Sequence, residues 1–309
     1  MIRPIGHASQ GKVFFRAATI AATGLLLARG AAVAAEANLA ARHKAIGSTA
    51  SFLRLTCNRQ QSPVALETAI VRYRCSTMPQ GPAVSLVGVL HIGERSYYAQ
   101  LNRELASYEA VLYELVAAPN RRVPKAGEPR GNNPLSLAQN GMKDLLGLEF
   151  QLNAIDYTRR NMIHADMSPD EFARSMDRRG ESLTSMFARM MGYAMARESP
   201  SSDAVHGGRL LLALMDKNRA LALKRLMAAQ FLENDDSLAA LEGPKGSTLI
   251  AGRNEVVIKA LRREIAAGKR NIAIFYGAGH MPDMQTRLHA VFGLEPVETR
   301  WLTAWDLTH

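Results

Sequence analysis

The pattern of apolar and polar positions between residues 83 and 116 predicts a strand, a sharp turn, a helix and a second strand. The run Ala83–Leu90 is almost wholly apolar and rich in valine and leucine, as a buried strand is, and His91 follows it. Residues at helical spacing come next, and then a second apolar run, Ala110–Leu115. Glu114 lies inside that run, where a charge is costly unless it is paired or binds a cation. We therefore expect His91 and Glu114 to meet at one edge of two adjacent strands.

The same order of elements returns near the C-terminus. Apolar spacing predicts a helix from Arg253 to Ala266, followed by a buried strand over Asn271–Tyr276. That strand ends in the sequence Gly277-Ala278-Gly279-His280, and one or two closing strands are expected over Glu295–Trp305. The chain thus contains two strand ends of the form Gly-x-x-His, the first of which ends in His91.

The region between these two units is mostly helical in its pattern. Apolar residues recur at helical spacing from Leu135 to about Glu242, and Ser168-Pro169-Asp170-Glu171 is typical of a helix N-terminus. A methionine-rich helix is expected over residues 183–195, either as core or as the wall of an apolar groove. Residues 117–134 have the composition of a long exposed loop. The predicted fold class is α/β, with two related mixed-sheet units bearing Gly-x-x-His strand ends and a large helical insert, about residues 135–242, between them.

The first 35 residues have the pattern of a targeting segment. Basic residues precede the apolar run Ala17–Ala28, and Ala32-Val33-Ala34 is a small-residue cleavage pattern. The run is short for a membrane span, so we expect a signal peptide and a periplasmic or secreted protein. The alternative is an uncleaved N-terminal anchor in the inner membrane, which would be the protein's sole membrane contact. Residues 36–309 are then expected to form a single α/β domain.

Composition and charge limit the classes of partner that we expect for this protein. The chain has 309 residues, of which 47% are hydrophobic and 21% are charged, an ordinary globular balance. The net charge of +10 is spread along the chain, without a compact basic stripe interleaved with aromatic residues. We therefore expect no nucleic-acid partner.

Two cysteines, Cys57 and Cys75, each follow a strand-like run. In an oxidising compartment a pair at this spacing is expected to form a disulfide. Two unrelated thiols or a pair of soft metal ligands are the alternatives, and zinc is the weaker of them because no histidine lies nearby in the sequence.

The strongest candidate chemistry is the set His91, Glu114 and His280. Two histidines and one carboxylate are a common ligand set for a catalytic divalent metal, which turns a bound water into a nucleophile near neutral pH. Gly88 and Gly277, three residues before each histidine, allow close backbone approach at the strand ends. The alternative is that both histidines are hydrogen-bonded turn residues and that Glu114 pairs with an arginine.

Four other residues carry weaker signals. Glu94 is either a general base or a residue suited to a helix N-terminus, and Tyr276 either steadies an oxyanion or belongs to the core. His164 and Asp166 are either cleft residues or a turn histidine with a capping aspartate. The sequence has no phosphate loop, no Gly-x-Ser-x-Gly serine and no His-Glu-x-x-His helix, which argues against a covalent hydrolase.

The segments VGVLHIGE…YELV and RN…YGAGHMPDM resemble the TraB/GumN/Tiki superfamily, whose wider relatives include the erythromycin esterase and ChaN-like proteins. Residues 147–151, GLEFQ, are similar to a further segment of that family. The resemblance implies an α/β fold with two related sheet units and a helical insert. It also implies a metal-dependent protease whose site residues map onto His91, Glu114 and His280. It places Arg253 and Asn254 at the family's Arg-Asn pair, beside the site or in contact with substrate.

The sequence therefore predicts an exported metal-dependent hydrolase that acts on peptides or proteins. Its cofactor is expected to be a divalent metal: manganese or cobalt by the resemblance, with zinc allowed by general chemistry. The alternative is a non-catalytic periplasmic binding protein for a peptide, a haem-like molecule or another apolar ligand, with the methionine-rich helix as a lid. A membrane-tethered protein of signalling or export is a third, weaker alternative.

Overall fold

The computed structural model describes residues 52–78, 80–118, 146–182, 211–241 and 246–308, with side chains up to residue 232 in the fourth range. All of them lie within residues 50–309, one compact unit. The expected leader and methionine-rich helix, and nearly all of the expected loop 117–134, fall outside these residues. None of the helices in the described ranges is long and apolar enough to cross a membrane.

The described ranges contain both strands and helices. The strands are β1 Leu53–Cys57, β2 Pro63–Cys75, β3 Ala83–Val89, β4 Ile92–Gly93, β5 Ala110–Tyr113, β6 Glu149–Phe150, β7 Met162–His164, β8 Asn271–Gly277 and β9 Leu294–Asp306. The helices are α1 Arg95–Leu105, α2 Gln151–Ala154, α3 Pro169–Arg179, α4 Arg219–Leu241, α5 Arg253–Ala266 and α6 Met281–Phe292. A π-helical turn, Thr248–Gly252, leads into α5, and a 3₁₀ turn, Ala278–His280, leads into α6.

Within the described ranges the main sheet has seven strands and mixes parallel with antiparallel pairing, so the fold is α/β as predicted. Its centre is parallel, in the order β3, β8, β5 and β7. Strand β2 continues the sheet antiparallel to β3, and it also pairs antiparallel with β1 and with the long closing strand β9. The two strands that lead into the Gly-x-x-His turns, β3 and β8, are direct neighbours in this sheet.

The apolar composition of the central strands follows from their position. All seven residues of β3 and all four of β5 are buried, and so are six of the seven in β8. Strands covered on both faces must be apolar at successive positions, which explains why these runs do not alternate. The covering helices contribute apolar side chains at helical spacing, among them Tyr97, Leu101, Val257, Leu261, Met284 and Leu288.

Helix starts are the best-predicted local features. Ser168 caps α3, since its hydroxyl accepts from the Glu171 N–H while the Glu171 carboxylate accepts from the Ser168 N–H. Helix α5 has the predicted bounds, Arg253–Ala266. Both predictions are confirmed because they depend on residues close together in the chain.

Two features differ from the prediction. The strand expected over Ala110–Leu115 ends at Tyr113, which leaves Glu114 just beyond the strand end. The expected helical insert, about residues 135–242, is not helical throughout, because Met162–His164 forms β7 of the main sheet and Glu149–Phe150 pairs with β4. The expectation of one or two closing strands over Glu295–Trp305 is confirmed as one strand, Leu294–Asp306.

The expected disulfide between Cys57 and Cys75 is wrong. Neither cysteine is in a disulfide, and the sheet explains why. Cys57 lies opposite Pro63, at the start of β2, whereas Cys75 is the last residue of that strand. A 13-residue strand spans about 40 Å, far beyond the roughly 4.4–6.8 Å between Cα atoms that a disulfide requires.

Thiol labelling tests this arrangement. Alkylation of the native protein is expected to modify Cys57, which is exposed, before Cys75, which is only 8% exposed. Peptide mass spectrometry without reducing agent checks both sites, and denaturation before alkylation should remove the difference. A linked peptide pair that contains both cysteines would contradict the pairing of β1 with β2.

Candidate functional site

Four polar side chains follow the carboxyl ends of the four parallel strands. His91 comes after β3, Glu114 after β5, Asp166 after β7 and His280 after β8. Because parallel strands point the same way, these ends meet at one edge of the sheet, where sites in open α/β sheets lie. The fold therefore assembles one polar cluster from four distant parts of the chain.

Glu114 is the centre of this cluster. Its Oε1 accepts from Nη2 of Arg253 at 2.7 Å, and its Oε2 accepts from the backbone N–H of Gly277 at 2.6 Å. The Nε2 atom of His280 lies 3.6 Å from Oε1. The side chain is only 10% exposed. The arginine pairing that the sequence left open as an alternative is therefore present in the structure.

Arg253 ties Glu114 to Asp166. Its Nε and Nη2 donate to the two carboxylate oxygens of Asp166 at 2.9 and 2.6 Å, while Nη2 also reaches Glu114. The Asp166 side chain is fully buried, and its Oδ1 also accepts from the N–H of Met167. Such a two-point pairing is specific to the planar guanidinium, so lysine would not replace it.

Each histidine contacts a carboxamide. Nδ1 of His91 lies 2.8 Å from Oε1 of Gln151, and Nδ1 of His280 lies 2.8 Å from Oδ1 of Asn254. Nε2 of His280 also lies 3.5 Å from Nη1 of Arg253. In both rings Nδ1 is therefore engaged with an amide oxygen.

The two motif glycines are not equivalent. A Cβ atom on Gly277 would lie 3.3 Å from Oε2 of Glu114 and 3.4 Å from Nε2 of His91. A Cβ atom on Gly88 would instead contact Ala69 and Phe52, at 3.4 Å or more. Gly277 therefore lets the backbone approach the site closely, whereas Gly88 faces the core of the sheet.

Burial and charge set the protonation of the central pair. Desolvation opposes ionisation of Glu114, but His280, Arg253, His91 and the Gly277 N–H together lower its pKa to about 2. Burial, which the nearby Glu114 only partly offsets, lowers the pKa of His280 to about 4. At neutral pH the site thus contains an ionised carboxylate beside a neutral imidazole.

Two candidates form their hydrogen bonds outside the cluster. The carboxylate of Glu94 pairs with Nζ of Lys224 at 2.7 Å and lines a separate pocket of about 290 Å³. The hydroxyl of Tyr276 is fully buried and donates to the carbonyl of Ala165 at 2.6 Å. Glu94 thus stands at the start of α1 with its carboxylate engaged by Lys224, and Tyr276 is a core residue whose ring packs edge-on against His280 at 5.2 Å. This geometry favours the helix-start alternative for Glu94 and the core alternative for Tyr276.

Two contributors cannot be assigned from local sequence. The sequence leaves Asp166 either a cleft residue or the cap of a turn, and its partner Arg253, which would decide between them, is distant in the chain. Gln151 begins α2 directly after β6, where the pairing of β6 with β4 places it beside His91. His164, the alternative cleft residue, has its Nε2 2.5 Å from the carbonyl of Leu115 instead.

The residue types of this cluster suit a divalent metal, but their present positions do not form a complete metal site. Imidazole nitrogens and a carboxylate suit a divalent cation, and one guanidinium faces two carboxylates, which leaves a formal charge of −1. Yet across the described ranges no three His, Cys, Asp or Glu side chains stand where together they could hold a metal ion. The reason is visible at Glu114, whose two oxygens bind Arg253 and the backbone of Gly277.

Comparison with known proteins adds no further assignment. No protein-family model, curated protein or solved structure matches the chain. The resemblance to the TraB/GumN/Tiki superfamily therefore stays a prediction. The fold and the site define the class: an α/β protein with a buried polar cluster at the carboxyl edge of its parallel strands.

Proposed function

We propose that this protein is a metal-dependent hydrolase of peptides, with His91, Glu114 and His280 as the residues that hold a divalent manganese, cobalt or zinc ion. The observation that carries the proposal is their convergence. The three residues follow neighbouring parallel strands. Glu114 and His91 lie beside Gly277, and Nε2 of His280 lies 3.6 Å from Oε1 of Glu114. Burial of a carboxylate and two imidazoles beside apolar strands is costly, which is why we assign them a function.

The charge of the cluster supports a cation as its ligand. Arg253 supplies one positive charge against the carboxylates of Glu114 and Asp166. His280 adds none at neutral pH, because burial lowers its pKa to about 4. A buried excess of negative charge favours binding of a further cation. Glu114 must exchange one of its present contacts for that ion, and its low pKa keeps the carboxylate ready to do so.

The side chains of the cluster have different roles in the proposed reaction. A bound divalent ion supplies Lewis acidity and a nucleophilic water at neutral pH. Arg253 holds Asp166 and Glu114 in place. Its Nη1, which lies 3.5 Å from Nε2 of His280, would be the donor that stabilises negative charge on a substrate carbonyl oxygen. Gly277 leaves open the space beside Glu114 and His91 that a side chain would fill.

Two sequence predictions belong to this proposal. Residues 1–35 direct export, so that the hydrolase works in the periplasm or outside the cell. The two units that end in His91 and His280 are related to one another, as the superfamily resemblance implies. The adjacency of β3 and β8 in one sheet supports the second point.

A matched pair of glycine variants tests the proposal. Cleavage of a peptide library by the full chain, supplied with Mn²⁺, Co²⁺ or Zn²⁺, is expected in the wild type and in Gly88→Ala. Gly277→Ala is expected to lose at least about tenfold in rate, because its methyl group enters the space between Glu114 and His91. Fluorescence-quenched peptides and mass spectrometry of the products measure the rates.

The possible outcomes separate the functions. Equal cleavage by Gly277→Ala and Gly88→Ala would place the activity elsewhere. Metal binding without cleavage of any peptide would favour the alternative of a non-catalytic binding protein. Cleavage that persists unchanged in a chelator would contradict a role for the ion.

A further inference from the structure

Asn254 is held in one orientation by groups that can only accept hydrogen bonds. Its Nδ2 donates to the carbonyl oxygen of His280 at 3.1 Å and to Oδ2 of Asp283 at 2.7 Å. A carbonyl and a carboxylate offer no donor, so the amide nitrogen must face them. The amide oxygen then faces Nδ1 of His280 at 2.8 Å, and that nitrogen must carry a proton to form the bond.

The opposite edge of the same ring agrees with this assignment. Nε2 of His280 faces Nη1 of Arg253 at 3.5 Å, and a guanidinium only donates. The nearest carboxylate oxygen, Oε1 of Glu114, lies at 3.6 Å, beyond hydrogen-bond distance, and is engaged with Arg253. The lone pair of the neutral ring is therefore on Nε2.

Gln151 presents its side-chain oxygen to His91, but its amide nitrogen faces a hydroxyl, which can both donate and accept, so its contacts constrain this amide less strictly than those of Asn254. The backbone N–H of Gln151 donates to the carbonyl of His91 at 2.9 Å, and its Oε1 lies 2.8 Å from Nδ1 of the ring. Its Nε2 donates to the hydroxyl of Tyr157 at 2.9 Å, and the whole residue is only 3% exposed. Backbone and side chain together thus hold this buried amide against His91.

We infer that Gln151 and Asn254 are positioning residues that fix His91 and His280 as Nδ1–H tautomers, with both Nε2 lone pairs turned toward Glu114. A neutral imidazole without such a partner exchanges its proton between the two nitrogens, and the form with N–H facing inward cannot bind a metal. Partners that fix the tautomer of a ligating histidine typically change metal affinity by about 10–100-fold. This consequence rests on the proposed metal site, whereas the tautomers themselves do not.

Nitrogen-15 NMR of the histidine side chains in the metal-free full chain at pH 7 tests the inference. Signals are assigned with His91→Asn and His280→Asn, which keep a donor near the position of Nδ1. The wild type is expected to show a protonated Nδ1 and an unprotonated Nε2 in both rings. Gln151→Glu, which keeps an acceptor oxygen, should retain this pattern at His91, and Gln151→Met should lose it there but not at His280.

The second site provides an independent variant. Asp283→Asn replaces an acceptor-only group with one that can also donate, so it should release the Asn254 amide and mix the tautomers of His280 alone. Calorimetric titration with Mn²⁺ or Zn²⁺ is the second measurement. Affinity should fall about 10–100-fold in Gln151→Met and change little in Gln151→Glu.

The results distinguish this inference from the proposed function. A proton on Nε2 of either ring in the wild type, or unchanged tautomers in both Gln151→Met and Asp283→Asn, would overturn the inference. The expected tautomers in a protein that binds no divalent metal would support it and refute the proposed metal site. Equal metal affinity in Gln151→Met and Gln151→Glu would show that the Gln151 amide does not affect metal binding. That result would overturn its positioning role.

Discussion

Replacement of Arg253 by methionine is expected to destabilise the folded protein by about 3–5 kcal/mol. The Arg253 side chain is 8% exposed and pairs with two carboxylate side chains, those of Asp166 and Glu114, that are 0% and 10% exposed. Its loss would leave Glu114 and Asp166 as adjacent buried charges without a partner. Urea denaturation of the variant and the wild type at pH 7 measures the difference in free energy of unfolding.

Two comparisons isolate the cause of the lower stability of Arg253→Met. Arg95→Met removes a pair whose arginine is 86% exposed, so it should cost at most about 1 kcal/mol. Addition of Glu114→Gln and Asp166→Asn to the Arg253→Met variant should recover much of the lost stability, because the uncompensated charges are removed. Equal costs for Arg253→Met and Arg95→Met would show that the buried cluster is not ionised as described.

The stability of the protein is expected to fall as the pH drops below about 6.5. The pKa of His280 is about 4 in the folded state against 6.5 in a model compound, so the unfolded chain takes up a proton in this range and the folded protein does not. The resulting loss is about 3 kcal/mol, complete near pH 4. Glu114, whose folded pKa is about 2 against 4.5, extends the loss toward pH 2 in the same direction.

A variant of His280 separates these contributions. His280→Asn keeps a donor for Asn254 and removes the titrating ring, so its unfolding free energy should change less between pH 6.5 and 4.5 than that of the wild type. Urea denaturation at half-unit pH intervals provides the curves. Parallel curves for the two proteins would mean that His280 ionises freely in the folded state.

The apolar runs of the sequence predict the centre of the fold well. Ala83–Leu90 and Asn271–Tyr276 are expected to be buried strands, and β3 and β8 are, because strands covered on both faces must be apolar throughout. The same argument makes the charge of Glu114 conspicuous and leads to the site. A carboxylate in an apolar run requires a partner, because burial of an unpaired charge is costly. This expectation follows from the sequence alone.

Long-range pairings are where sequence reasoning fails. Two strand-like runs that each end in a cysteine do not reveal that Cys57 and Cys75 flank opposite ends of β2. The three residues of β7 are too few to show a period of two, so they merge with the helical pattern around them. Asp166 follows that short strand, and its pairing with Arg253 was hidden for the same reason.

Side-chain direction is the second property that the sequence does not reveal. Tyr276 is the residue next to Gly277, yet its hydroxyl donates to the backbone carbonyl of Ala165. Glu94 is three residues from His91, yet its carboxylate pairs with Lys224. Distance along the chain places both residues near the site, but it does not reveal which partner each polar group takes.

Metal uptake tests the central claim most directly. The full chain is dialysed against Mn²⁺, Co²⁺ or Zn²⁺, and bound metal is measured by elemental analysis in the wild type, Glu114→Gln, His280→Asn and His289→Asn. His289 is an exposed histidine on α6 and serves as the matched control for His280. We predict one equivalent of metal in the wild type and in His289→Asn, and its loss in Glu114→Gln and His280→Asn. No uptake by the wild type, or equal uptake by all four proteins, would contradict the account.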